Sequence, residues 1–255
     1  MNATKVVHRN YLVFWRGWRS SAVFSFLNPL LFLGAMGFGI GTLLGRENMA
    51  AFGGVGYLEF FSTGMLAATC MQSATFAATY PIMAKIRWYR NYEAMLSTPL
   101  QVRDLFFGEL AWISLTQAIV AIPFFLVMVA FGVPETPLAI LAIPVAVLVG
   151  LNFGAAVMAY TATLESDTSY NWLFRFVITP LFLFSGTFFP IDDLPRWAAS
   201  IANAIPLYHG IELIRGLTFG DLEPGAAAWH LAFLVVFFGV ATAVGIRNFH
   251  RRLIP

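Results

Sequence analysis

Residues 110–134 read LAWISLTQAIVAIPFFLVMVAFGVP, and after the single charge at Glu135 residues 136–164 read TPLAILAIPVAVLVGLNFGAAVMAYTATL. Each half is longer than the about 20 helical residues that cross a hydrocarbon core. Apolar side chains occupy every side of both halves, so neither offers a water-facing stripe. Outward from this pair, further charge-free windows run Ser20–Gly45, Phe60–Ala84 and Pro224–Ile246. A shorter apolar run, Phe176–Ile191, gains length from Tyr170 to Phe174, because Arg175 can snorkel to the headgroups. The predicted fold is therefore an all-α integral membrane protein with six transmembrane helices at 24–44, 58–81, 104–132, 137–163, 170–190 and 226–246.

Composition agrees with this reading. The 255 residues are 59% hydrophobic and only 11% charged, and the mean hydropathy is +0.74. A soluble domain is about one quarter charged, so this chain cannot clothe a water-facing surface. Placing the N-terminus in the cytoplasm puts twelve of the 15 Lys and Arg residues on that side, leaving only Arg46, Arg196 and Arg215 outside. That positive-inside bias predicts both termini cytoplasmic and a multi-pass protein of the cell membrane. The net charge of +2 follows from topology and implies no nucleic-acid partner. Because no small-residue cleavage site closely follows the first window, that window reads as a span and not a signal peptide. The lone Cys70 lies in the second span, which excludes an intrachain disulfide.

Two segments outside the spans are amphipathic. Residues 1–20 form an interfacial helix with Val7, Tyr11, Phe14, Trp15 and Trp18 on one face and Lys5, Arg9, Arg16 and Arg19 on the other. Asn28 and Pro29 fit either a bend or an ordinary helix start. Lys85–Leu96 reads as a second helix, with Trp88, Tyr89, Tyr92, Met95 and Leu96 opposite Arg87, Arg90 and Glu93. Ser97, Thr98 and Pro99 end it. On the outer side, the charge-free stretch Trp197–Ile211 is too short to span and is interrupted by Pro206. Residues 192–220 therefore read as two short helices that dip into the outer leaflet and return, a form tolerated only under cover of protein or a wet cavity.

Catalytic and nucleotide chemistry is missing. The two lysines, Lys5 and Lys85, are followed by Val6 and Ile86, so no phosphate-binding G-x-x-x-x-G-K-[ST] loop exists. The four histidines are scattered, giving no metal-ligand spacing. Of the ionisable groups at membrane depth, Glu109 is expected to pair with a basic residue at the inner interface. Glu212 and Arg215, three apart, are placed either to brace an outer gate or to pair structurally. G-x-x-x-G spacing at Gly37 and Gly41, and at Gly150 and Gly154, allows close helix contact and a dimer seam. A secondary transporter or channel would need an ionisable group mid-span, and none is seen. A lipid-modifying enzyme would have to use Asp192, Asp193, His209 and Glu212.

Several stretches in order resemble the permease subunits of ABC type-2 exporters: NYEAMLSTPL at 91–100, FSGTFFPIDDLPRW at 184–197 and IPLYHGIELIRG at 205–216. The resemblance covers essentially the whole chain. YEAML at 92–96 and GELAW at 108–112 look most like the nodulation-factor, or lipo-oligosaccharide, exporter permeases, with drug-exporter permeases next. The resemblance implies a separate ABC ATPase subunit that holds ATP and Mg, a second permease chain that is identical or related, and an amphipathic substrate. The implied substrate is a lipid-linked oligosaccharide or glycolipid, with drugs or antibiotics as the alternative. It makes residues 85–98 the cytoplasmic coupling helix, with Arg87, Arg90, Tyr92, Glu93 and Met95 contacting the ATPase. It also makes Pro190, Asp192, Pro195, Pro206 and His209 the turn-formers of the external re-entrant element, beside Glu212 and Arg215.

Overall fold

The computed structural model of the chain describes residues 3–36, 39, 52, 54–191 and 201–254, apart from the side chains of 19–22, 24 and 28. Most of 37–44, with Gly37 and Gly41, lies outside the described residues, as do Asp192, Asp193 and Pro195. Among the described residues the fold is helical, with no strand. In chain order, α1 is Ala3–Trp15, α2 Trp18–Ala35, α3 Tyr57–Ala78, α4 Tyr80–Met83, α5 Asn91–Leu96 and α6 Val102–Ala130. They are followed by α7 Ala142–Thr161, α8 Thr168–Leu173, α9 Thr179–Phe184, α10 Pro206–Phe219 and α11 Pro224–Leu253. A 3-10 turn at Pro137–Leu141 leads into α7, and single π-helical turns at Ala84–Trp88 and Phe174–Ile178 follow α4 and α8.

Val102–Ala130, Pro137–Thr161 and Pro224–Leu253 are each long and apolar enough to cross a membrane. Their ends follow local chemistry. At the start of α6, Gln101 and Asp104 form a capping box. Pro224 occupies the first turn of α11, while His250, Arg251 and Arg252 lie in its last turn, where the helix dipole favours cations. The first predicted boundary moves: a turn at Arg16–Gly17 separates α1 from α2, and α2 runs unbroken through Pro29. Pro29 is thus not a helix start.

The core lies where α3 and α7 pack together, with α6 and α11 flanking α7. Lipid tails are as apolar as leucine, so such helices are held by close packing and hydrogen bonds, not by escape from water. Gly150 and Gly154 supply that closeness inside the chain. A methyl at Gly150 would stand 2.7 Å from Gln117 Cγ and 3.3 Å from the Cys70 carbonyl oxygen, and one at Gly154 would stand 3.2 Å from Ile113 Cγ2. This pair is therefore spent on wedging α7 between α3 and α6, which corrects the dimer-seam reading of Gly150 and Gly154. Polar ties reinforce the bundle: Thr161 Oγ1 donates to the Ala78 carbonyl at 2.8 Å, and Asn248 Nδ2 donates to the Ala159 carbonyl at 3.0 Å. Outward faces are aliphatic. Val235, Val236 and Val240 of α11 and Leu115, Ile122 and Leu126 of α6 are exposed, a surface suited to lipid and costly in water.

Candidate functional site

At the end of the bundle that gathers the basic residues, α1 lies against α6. Gly108 makes this possible, because a methyl there would stand 2.6 Å from Val6 Cβ and 3.0 Å from the Ala3 carbonyl oxygen. Glu109, the next residue along α6, is 1% exposed. Lys85 Nζ donates to both of its carboxylate oxygens, at 2.8 and 2.7 Å, and Asn10 Nδ2 donates to Glu109 Oε2 at 3.0 Å. Lys85 Nζ also reaches Asn10 Oδ1 at 3.3 Å, which accepts from Arg9 Nη1 at 3.2 Å. The expected pairing of Glu109 with a basic residue is thus present, and it joins three segments far apart in sequence. Burial pulls the Lys85 ammonium below its usual range while Glu109 pushes the other way. The charged pair holds because each partner satisfies the other; a lone charge at that depth would not be tolerated.

The segment after Lys85 departs from one continuous helix. Its π-turn ends at Trp88, and Arg90 adopts φ +47°, a left-handed conformation that non-glycine residues rarely occupy. The break rotates α5 relative to the preceding turn, so the predicted shared face of Trp88, Tyr89, Tyr92, Met95 and Leu96 divides. Trp88 and Tyr89 are exposed together with Arg87, Arg90 and Glu93, whereas Tyr92 is fully buried and Met95 and Leu96 are half-buried. Tyr92 packs on Phe249, whose ring stands edge-on to Phe106 at 5.2 Å. Burial first, and the nearby Glu109 second, push its phenol well above the usual range, and its Oη lacks a hydrogen bond of regular geometry. Tyr92 is therefore an internal anchor and not a surface contact. The outward set is Arg87, Arg90 and Glu93, with Arg90 Nε 3.9 Å from Glu93 Oε1. Both side chains are more than half exposed, so this pair adds little stability.

The aromatic residues of α1 take a different arrangement from a simple two-faced helix. Ala3, Val6 and Asn10 form the packed stripe. Tyr11, Trp15 and Trp18 are exposed, with successive ring centroids 5.7 Å apart, tilted for Tyr11–Trp15 and stacked for Trp15–Trp18, and Phe14 meets Trp112 of α6 edge-on at 5.7 Å.

The opposite end carries a second polar cluster. Arg215 Nη1 donates to Glu212 Oε1 at 2.8 Å, Nη2 donates to the Gly186 carbonyl at 3.0 Å, and the guanidinium sits 3.9 Å over the Phe60 ring. The pair thus clamps α10 to α3 and to the turn after α9. Pro206 starts α10 within its first turn. Pro190 is half-buried in the turn after α9. His209 is buried and stacked on Phe233, with ring centroids 3.9 Å apart. Its Nε2 lies 2.9 Å from the Asn203 carbonyl and must donate to it, which leaves Nδ1 as the acceptor for His230 Nδ1 at 2.7 Å. Burial holds His209 below the ordinary histidine range. A cavity of about 320 Å³ opens beside it, lined by Glu212, Arg215, Asp221, Glu223 and His230 among others. Among the described residues no group of three or more His, Cys, Asp or Glu is placed to hold a metal. Asn10, Lys85, Gly108, His230 and Phe233 were not among the predicted site residues; no spacing rule connects residues 10, 85 and 109, or 209 and 230.

Long helices with aliphatic outer faces, a close-packed helical core and polar clusters held at the two ends define an all-α membrane protein. The family profile described as ABC-2 type transporter matches residues 3–219, and the chain belongs to that family, as a membrane transport subunit. It is 32% identical over 258 residues to Nodulation protein J of Rhizobium leguminosarum bv. trifolii, covering 100% of this chain and 95% of the relative. It is likewise 32% identical to Nodulation protein J of Rhizobium meliloti (strain 1021), again over 100% and 95%. Nodulation protein J of Azorhizobium caulinodans is 23% identical over 215 residues, 84% of this chain and 82% of the relative.

Proposed function

We propose that the chain is the permease of an ATP-driven exporter that moves a lipid-linked oligosaccharide or glycolipid out across the cytoplasmic membrane. A separate ABC ATPase supplies the energy, and two permease chains form the route between them. Full-length similarity to proteins named Nodulation protein J is the observation that carries this reading. In it, α2, α3 and the α8–α9 segment complete six spans with the three long apolar helices, and α1 lies in the inner interface. α10 belongs to the re-entrant element expected over residues 192–220, of which 192–200 lie outside the described residues. The exposed Arg87–Glu93 segment meets the ATPase, and the Lys85–Glu109–Asn10 cluster carries its motion to α1 and α6. Its positive-inside charge supports the orientation.

Inside-out vesicles containing the permease and its ATPase test the reading. They are expected to accumulate a radiolabelled lipid-linked oligosaccharide only with hydrolysable ATP, and no ATP-dependent uptake would contradict it. Orientation is tested separately. A cysteine in place of Asp221 is expected to react with an impermeant thiol reagent in whole cells and one in place of Arg251 is not, and the reverse labelling would overturn the topology.

A further inference from the structure

Beside the buried Lys85–Glu109 pair, a pocket of about 390 Å³ opens between α1, the Ala84–Trp88 turn and α6. Arg9, Asn10 and Lys85 form its polar side; Phe14, Tyr89 and Trp112 line much of the remainder. No Asp or Glu is among its lining residues. The proton and charge accounting around it does not balance. Lys85 spends its donors on both oxygens of Glu109 and on Asn10, so the one carboxylate is already used. Among the described residues Arg9 makes one side-chain hydrogen bond, to Asn10, and forms no ion pair. A second groove on the other side of Arg9, about 450 Å³ in volume, adds Lys5 and again no acid. The cluster therefore carries an excess positive charge on a guanidinium with donors to spare.

The walls indicate what the anion is attached to. Its aromatic wall is the exposed Tyr89 with Trp112, and Val13, itself exposed, lines its edge. Trp and Tyr beside basic residues mark the headgroup level of a bilayer. An acidic protein loop would gain from Arg9 but not from this apolar rim, whereas a lipid uses both. Guanidinium is also suited to phosphate, which it grips through paired N–H donors. We propose that Arg9 binds the phosphate of an anionic phospholipid from the inner leaflet, with the acyl chain lying along Val13, Phe14 and Trp112. The lipid thereby fixes α1 against the coupling segment through Asn10. This site rests on the reading that the basic end faces the cytoplasm.

The test is native mass spectrometry of the purified permease in detergent with added dioleoyl phosphatidylglycerol, dioleoyl phosphatidylcholine or inorganic phosphate. Phosphatidylglycerol is expected to be retained and phosphatidylcholine lost. Arg9→Gln is expected to reduce phosphatidylglycerol occupancy about fivefold, the equivalent of the about 1 kcal/mol that an interfacial cation gives to an anionic lipid. Arg9→Lys retains most of it, and Arg16→Gln, outside the pocket, leaves it unchanged. Equal retention by Arg9→Gln and wild type overturns the site. So does equal retention of the two lipids, a comparison that decides on the wild type alone if Arg9→Gln fails to give a monodisperse protein. Competition by millimolar inorganic phosphate, or loss of the lipid when the ATPase is added, would overturn it too, assigning the pocket to a free anion or to the partner protein. Detergent binding is blind to orientation, so a failure here is distinguishable from a failed cysteine-labelling result.

Discussion

Replacing Lys85 by methionine keeps the length of the side chain but removes its charge and three hydrogen bonds, the 2.8 and 2.7 Å contacts to Glu109 and the 3.3 Å contact to Asn10. Glu109, 1% exposed, would keep only the Asn10 amide at 3.0 Å. Leaving one partner of a buried ion pair uncompensated costs about 3–5 kcal/mol. At about 2–4 °C per kcal/mol for a chain of this size, Lys85→Met is expected to lower the thermal midpoint in detergent by about 6–20 °C. Glu109→Leu, which strands the ammonium, is expected to act similarly. Replacing both removes the unpaired charge, and isosteric apolar replacement of buried pairs is often neutral. The double variant Lys85→Met/Glu109→Leu is therefore expected to recover most of the loss. Fluorescence-detected gel filtration after heating measures all three, and the cycle isolates the coupling between the two residues. Single variants within about 1 kcal/mol of wild type, or a double variant that loses the sum of the singles, would refute the reasoning.

Gly150→Val is expected to destabilise the protomer by about 1–3 kcal/mol or more, through overpacking against Gln117 and the Cys70 carbonyl, while leaving crosslinking between permease copies intact; lost crosslinking in a stable protomer would return Gly150 to a dimer seam. The His209 contribution to stability is expected to depend on pH. Because burial depresses its folded value, the unfolded chain takes up the proton first, so the contribution is complete above the unfolded value of about 6.5 and is lost as pH falls below it. The gap in thermal midpoint between wild type and His209→Gln should therefore narrow from pH 7.5 to pH 5.5, and a constant gap would contradict the assignment.

The three long apolar helices, Val102–Ala130, Pro137–Thr161 and Pro224–Leu253, were legible because hydrocarbon imposes length and lack of charge on any crossing helix. Glu109 was legible as a paired carboxylate for the same reason, since a bare charge at that depth is excluded. Its partners were not, because the identities of Lys85 and Asn10 depend on tertiary contacts between segments 24 and 99 residues away in the chain. The coupling segment shows where periodicity misleads. A 3.6-residue repeat assumes an unbroken helix, and the left-handed Arg90 turns Trp88 and Tyr89 outward while Tyr92 goes in. In α1 the packed stripe is Ala3, Val6 and Asn10, small residues that hydrophobic patterning passes over in favour of the tryptophans. The His209–His230 contact joins two helices with no shared sequence signal.

On the proposed reading, ATP-driven motion enters this chain through the exposed Arg87–Glu93 surface. Glu93→Lys tests it most directly, because Glu93 is 60% exposed and bears on little besides Arg90 within the chain. The variant should insert and fold normally. Purified with the ATPase beside a Glu135→Lys control on the opposite end, it is expected to lose co-purification and substrate-stimulated ATP hydrolysis together with transport, while the control retains all three. Truncating a desolvated charge contact costs about 2–5 kcal/mol, enough to separate the subunits on a column. A Glu93→Lys permease that assembles, hydrolyses ATP and transports like the wild type would contradict the account.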